Sequence, residues 1–268
     1  PDLIEKQLNI PVYATVSHSK NQELILKETS ELSESDNKSP AILATRYNDD
    51  TAIESMRSLR TTLHFSLLEA QNNIILITGP SPGVGKTFIS VNLATVMADA
   101  GKRILLIDGD MRKGAMHKMF GVSREHGLSE IISNSITVQD TIHNIPQANI
   151  DFIPTGAIPP NPSELLLHEN FSVFIENITK QYDLVIVDSP PVLAVTDAAI
   201  IGRMVGATFM VVKAGVHSKR ELEQSIRKLA QSGTNMKGIV FNNLPVSSSR
   251  YGNGRGYSRY VYQYSYKK

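Results

Sequence analysis

Four runs of apolar residues, "NIILIT" (73–78), "RILLIDGD" (103–110), "YDLVIVDSPP" (182–191) and "ATFMVVKAG" (207–215), do not alternate with polar residues. A strand with one wet face alternates with period two, so runs of this kind belong in strands covered on both faces. "IDFIPTG" (150–156) and "KGIVFNN" (237–243) are two further strands. Helical patterns lie between them: a loop plus helix in "PGVGKTFISVNLATVMADAG" ending at Gly101, then residues 162–181 and 218–232. An earlier helix starts at Thr51, which can cap it, and carries Ile53, Met56, Leu59, Leu63 and Leu67 at helical spacing. Strands separated by helices predict an α/β fold with a mostly parallel sheet and helices on both faces.

A length of 268 residues suits one large domain or one domain with appendages. Residues 1–19 read as a short amphipathic helix and then a short strand around residues 12–16. Residues 20–50 are polar, with "KETSELSESDNKSP" unable to bury much apolar surface. The expected division is a leading segment and linker over residues 1–50, a P-loop domain over 51–245 and a flexible tail over 246–268. The first residue is Pro1 rather than Met, so the chain is expected to be a piece of a longer protein. No apolar run is long enough to span a bilayer and no signal peptide is visible. A net charge of +1 gives no global drive toward nucleic acid. The absence of cysteine excludes disulfides and an iron–sulfur ligand set.

"GPSPGVGKTFIS" follows the first of the long apolar runs and opens a helix, which is the context a P-loop requires. Gly83 and Gly85, with Val84 between them, let backbone N–H groups turn toward phosphate oxygens, and the helix that continues through Phe88 adds its positive end. Lys86 would reach the β- and γ-phosphates of ATP, and Thr87 would place a hydroxyl on Mg²⁺. The pattern G-x-x-x-x-G-K-[ST] fails at its first position, Pro80, with Gly79 one residue earlier. The competing reading is a chance glycine-rich turn. A divalent ion needs hard oxygen ligands, and two strand ends offer them: Asp108 and Asp110 in "LLIDGDMR", and Asp188 in "LVIVDSPP". Each acidic group stands at a carboxyl end of a strand, the edge where open α/β sheets bind ligands. His64, His117, His126, His143 and His168 show no ligand spacing and no triad context.

A P-loop ATPase of this kind could be a partition or division-site switch, a metal-export ATPase, a nitrogenase-type reductase or a kinase. Switch ATPases carry a second lysine five residues before the P-loop lysine; that position is Ser81 here. "PGVGKT", "LLIDGDMRKG", "PPNPSELL", "LVIVDSPP", "TDAAIIGR" and a tyrosine-rich terminus together resemble the bacterial tyrosine kinase (BY-kinase) family, most of all its Wzc-type cytoplasmic kinase domains of capsule and exopolysaccharide co-polymerases. The similarity runs from about residue 40 to the end. It implies that Lys86 and Thr87 are the Walker A pair, Asp108 and Asp110 the second acidic motif, and Asp188 the Walker B carboxylate. ATP·Mg²⁺ would lie among them, and the γ-phosphate would pass to tyrosine. Asn242 falls where related folds contact adenine. Close relatives have a regulatory tyrosine just after "MRKG", where this chain has Ala115, so a control step using that tyrosine is expected to be missing. A tyrosine hydroxyl has a pKa near 10, so an aspartate must take its proton as transfer proceeds. Asp108 is favoured, with Asp110 and Asp188 serving the metal, although the sequence does not separate these roles.

Two further features fit that resemblance. Glu54, Arg57 and Arg60 recur at spacings of three on one helix; by spacing alone they read as solvated pairs, whereas in the family E-x₂-R-x₂-R is the self-association motif. The implied assembly is a homo-oligomeric ring, an octamer being one candidate size, with each tail entering its neighbour's site. The terminus carries Tyr251, Tyr257, Tyr260, Tyr262, Tyr264 and Tyr266, with three glycines, five Lys or Arg and no acidic residue from residue 250 onward. These six tyrosines are the expected phosphorylation sites. An Arg/Gly/Tyr segment stacking on single-stranded RNA is the competing reading. The resemblance also implies a place at the cytoplasmic face of the bacterial inner membrane. Its implied partners are the transmembrane co-polymerase region of the parent chain, a cognate tyrosine phosphatase and the polysaccharide export machinery, with no nucleic acid.

Overall fold

Successive side chains of each central strand enter different cores, which is why the apolar runs do not alternate. In the strand Ile74–Thr78, Ile75 and Ile77 join one buried cluster while Ile74 and Leu76 join another. The computed structural model describes residues 2–31 and 42–245. In chain order the elements are α1 (Asp2–Leu8), β1 (Val12–Ser17), α2 (Lys20–Glu31), α3 (Leu43–Arg46), α4 (Thr51–Leu67), β2 (Ile74–Thr78), α5 (Lys86–Asp99), β3 (Ile104–Asp108), α6 (Met116–Phe120), α7 (Leu128–Ile132), α8 (Val138–Thr141), β4 (His143–Ile145), β5 (Ile150–Ile153), α9 (Pro162–Leu166), α10 (Glu169–Ile178), β6 (Leu184–Asp188), α11 (Asp197–Gly202), β7 (Ala207–Lys213), α12 (Lys219–Gln231) and β8 (Met236–Leu244).

The strands form one eight-stranded sheet in the order β1-β8-β7-β2-β6-β3-β5-β4. Every neighbouring pair is parallel except β4 with β5. Helices α4 and α5 supply Ile53, Met56, Leu59, Leu63, Ile89 and Leu93 to the core on one face. Helices α7, α10 and α11 supply Leu128, Ile131, Phe171, Phe174, Ile175 and Ile201 to the other. The expected α/β architecture with both faces covered is the one observed. No helix among the described residues is long and apolar enough to cross a membrane.

Several local expectations are corrected. Asp50, not Thr51, caps α4: its carboxylate accepts from the Ala52 amide at 2.9 Å, while the Thr51 hydroxyl meets Ser17 Oγ at 2.8 Å. The helix expected over 162–181 is two helices, because His168 takes an extended backbone and accepts the Asn170 amide as a new N-cap. Elements before residue 50 also join the sheet and its cores. β1 pairs in parallel with β8, and Ile4, Leu8 and Ile10 pack on the cluster of Met210, Val212, Leu222, Ile239 and Phe241. α2 continues from there and buries Ile25 completely. Part of the polar stretch, residues 32–41, and the whole tail from residue 246, with its six tyrosines, lie outside the described residues.

Candidate active site

β2, β6 and β3 are adjacent parallel strands, so the loops that follow them converge on one edge of the sheet. After β2 the chain turns through the P-loop into α5. Gly83 and Gly85 have φ of +75° and +96°, the left-handed region that other residues enter at a cost. A Cβ at Gly85 would stand 2.1 Å from Asn242 Nδ2, so a side chain there would collide as well. Among the described residues no protein acceptor takes the backbone N–H groups of residues 83–88. These donors at the start of a fourteen-residue helix are those an anion would use.

Asp108 ends β3 and Asp188 ends β6, and the two are direct register partners. They are 2% and 3% exposed. The Thr87 hydroxyl donates to Asp188 Oδ2 at 2.6 Å, and Ser90 Oγ donates to its Oδ1 at 3.1 Å. Asp108 accepts from the amides of Met116 and Asp110, both at 3.2 Å. Asp110 is half-buried and organises the next turn, its Oδ1 accepting from the amides of Arg112 and Lys113 at 3.2 and 3.0 Å. The backbone is tight here: a Cβ on Gly114 would stand 2.2 Å from Thr155 Cγ2 and 2.9 Å from Asp108 Oδ2. Arg112 leaves this turn to make a bidentate pair with the fully buried Asp197, at 2.9 Å from both Nε and Nη2. Ser163 Oγ donates to the same carboxylate at 2.7 Å. The three loops after β3, β5 and β6 are thereby tied together.

Burial pushes the Asp108 carboxyl up to about 7, with Asp188 adding to the shift. Burial also pushes Asp188 up to about 6, against the hydrogen bond from Thr87 and the charge of Lys86. Lys86 is itself buried, and desolvation lowers its pKa while Asp188 and Asp110 oppose that. Two adjacent buried carboxylates with one buried amine form an arrangement that a divalent cation would stabilise. The donors are hard oxygens, Thr87 Oγ1 and the carboxylates, which suit Mg²⁺. Among the described residues no group of three or more His, Cys, Asp or Glu side chains could cage a metal without help.

Lys86, Thr87, Asp108, Asp110 and Asp188, expected from the sequence to share a site, thus meet at one sheet edge. Asn242 is there too, but its side chain reaches the P-loop: Nδ2 donates to the Val84 carbonyl at 2.9 Å. Glu54, Arg57 and Arg60 lie away from this edge on α4. Within the chain Arg57 bonds Glu54 and Asn48, and Arg60 approaches the Val96 carbonyl at 3.4 Å. Sequence reasoning missed the Arg112–Asp197–Ser163 cluster and His217, which bonds Ser81 of the P-loop at 2.8 Å. The signal for Arg112 was its place two residues after Asp110; His217 had none.

Comparison with known proteins agrees with this geometry. A family model described as "AAA domain" matches residues 72–231. A "Putative tyrosine-protein kinase EpsB" from Ralstonia nicotianae is 42% identical over 267 residues, 99% of this chain and 35% of that protein. The chain therefore spans about a third of the length of the curated relatives it matches. The solved kinase domain of the Escherichia coli tyrosine kinase ETK superposes with a TM-score of 0.81 at 39% identity, covering 92% of this chain and 97% of that one. The BceF tyrosine kinase domain superposes with a TM-score of 0.84 at 42% identity, covering 91% and 98%. On this site geometry and these matches, the chain belongs to the bacterial tyrosine kinase family and corresponds to its kinase domain.

Proposed function

We propose that the chain is an ATP-dependent protein-tyrosine autokinase that transfers the γ-phosphate of ATP to tyrosines of its own C-terminal tail, in trans within a homo-oligomeric ring. The carrying observation is the pairing of Asp108 with Asp188 beside Thr87 and Lys86. The amides of residues 83–88 hold the β- and γ-phosphates, and Lys86 neutralises charge as the bond to the leaving oxygen breaks. Thr87, Asp188 and Asp110 would hold Mg²⁺ directly or through water. When bound, the ion neutralises phosphate charge and orients the γ-phosphoryl group. Asp108, at the end of the strand beside Asp188, is the proposed acceptor for the tyrosine proton. Most of the rate comes from positioning and charge neutralisation.

Tyr251, Tyr257, Tyr260, Tyr262, Tyr264 and Tyr266 are the proposed acceptors. From Arg250 onward the tail carries five Lys or Arg and no acidic residue, which favours approach to a carboxylate-lined, ATP-loaded cleft. Each phosphate adds roughly −1.5 to −2, so six would take the side-chain charge from +5 to about −4 to −7. That reversal would repel the tail and loosen a ring held through Glu54, Arg57 and Arg60. Asn242 is kept as a candidate adenine neighbour. In the parent protein the domain would lie at the cytoplasmic face of the inner membrane, attached to its transmembrane co-polymerase region. There it would act with a tyrosine phosphatase and the polysaccharide export machinery. A partition-type switch ATPase remains the alternative, and Ser81, where such switches carry lysine, favours the kinase.

Incubation with Mg-ATP followed by a phosphotyrosine blot tests the proposal. Signal in the unaltered chain and none in Lys86→Met or after removal of residues 246–268 is expected. ATP hydrolysis without phosphotyrosine would support the switch instead.

A further inference from the structure

The P-loop follows β2, and the loop 214–218 follows β7, its parallel neighbour, so both emerge at the same sheet edge. They are closed into a ring of hydrogen bonds. Asn242 Nδ2 donates to the Val84 carbonyl at 2.9 Å, and the Asn242 carbonyl accepts the Ala214 amide at 3.0 Å. Two residues before the start of α12, His217 reaches back to Ser81 Oγ at 2.8 Å. The chain before Ser81 is anchored separately, its Gly79 carbonyl accepting the Val192 amide at 2.9 Å. Residues 81–83 have no other hydrogen bond from outside the loop among the described residues. Ser81 stands between Pro80 and Pro82, which have no amide proton to offer, and its side chain is the group that ties this turn to the loop after β7.

The tautomer follows from the surroundings. His217 Nδ1 is buried without a partner. An orphaned lone pair costs less than an orphaned N–H, so the proton sits on Nε2 and is donated to Ser81 Oγ. The Ser81 hydroxyl is then free to donate onward to the Pro82 carbonyl at 3.4 Å. Burial lowers the His217 pKa and keeps the ring neutral at neutral pH.

We propose that His217 is a positioning residue for nucleotide, holding the first turn of the P-loop through Ser81 so that the amides of residues 83–88 face the phosphates before the nucleotide arrives. Neither residue hydrogen-bonds Lys86, Thr87, Asp108 or Asp188, so the pair is assigned to nucleotide affinity and not to phosphoryl transfer. This rests on the P-loop being the nucleotide site, as proposed above.

The test is titration of the full chain, with Mg²⁺ present, against a fluorescent ADP analogue, together with kcat at saturating ATP. His217→Leu and Ser81→Ala are each expected to raise Kd about 3–10-fold, the range of one neutral hydrogen bond. The double variant should be no weaker than the worse single one. His217→Gln, whose amide nitrogen can take the place of Nε2, should stay within about twofold of the unaltered chain. All should keep kcat at saturating ATP within about twofold, less than one such bond is worth. Unchanged Kd in Ser81→Ala, additive losses in the double variant, or a fall in kcat with Kd preserved would each overturn the proposal. An unaltered chain that fails to bind the analogue would instead remove the nucleotide site itself.

Discussion

Asp108 and Asp188 are register partners at the carboxyl ends of neighbouring parallel strands, both almost fully buried. Holding two like charges side by side opposes folding unless a cation or a proton joins them. Their folded pKa values, about 7 and about 6, lie above the ordinary value for aspartate. The group favours the protonated form when folded, so its contribution to stability is greatest in acid and is lost as pH rises through the interval from about 4 to 7. Asp108→Asn removes the share of that dependence that belongs to Asp108, while burial keeps Asp188 raised. Without nucleotide or Mg²⁺, its unfolding free energy relative to the unaltered chain should climb between about pH 4 and pH 7, with a slope of up to about 1.4 kcal/mol per pH unit. Scanning calorimetry at several pH values checks this, and Mg-ADP should shrink the difference.

Gly85→Ala combines a positive φ with a collision against Asn242. A loss of about 1–3 kcal/mol in urea unfolding is expected, with nucleotide binding by calorimetry weakened beyond measurement. Gly101 also has a positive φ, but open space around it. Gly101→Ala should therefore leave nucleotide affinity unchanged.

Removing Arg112 leaves the fully buried Asp197 with Ser163 as its side-chain partner. Arg112 is 37% exposed, which moderates the loss. Arg112→Ala should cost about 2 kcal/mol in chemical denaturation. It should also lower kcat, because the turn that holds Asp110 is released. Arg112→Lys should restore part of the stability but not the two-point contact.

Arg57 already bonds Glu54 and Asn48 within the chain, at an exposed surface. Such pairs are worth about 0–1 kcal/mol to a folded monomer. Replacing Arg57 and Arg60 by alanine should therefore barely change the melting temperature of the dilute monomer while abolishing any ring seen by light scattering. A ring that survives would remove these residues from the assembly. Phosphorylated chains should form smaller assemblies than unmodified ones.

The central sheet was legible because burial on both faces leaves a local mark, as in residues 74–77 and 184–187. The P-loop and three carboxylates were legible for a related reason: their spacing from a strand end is short and local. β1 was read as a strand but not as part of the sheet, since its partner β8 lies more than two hundred residues away and nothing near Val12 encodes that pairing. Asp50 looked like linker, yet it caps α4 and accepts from Ser19 and Asn21 at 2.7 and 2.9 Å, a role set by tertiary neighbours. His217 had no motif around it because its meaning depends on the loop after β2 lying beside the loop after β7. Deletion of residues 1–19 tests what β1 contributes to the sheet. It exposes the edge of β8, and a lower melting temperature and a tendency to aggregate are expected.

A mixing experiment tests the kinase reading most directly. Chain lacking residues 246–268 supplies the catalytic edge, and full-length Lys86→Met supplies only tyrosines. With Mg-ATP, phosphotyrosine is expected on the Lys86→Met chain, in tryptic peptides containing Tyr251 to Tyr266. Absence of phosphotyrosine from that mixture, while the unaltered chain labels itself, would contradict transfer between subunits; absence from both would contradict the kinase assignment.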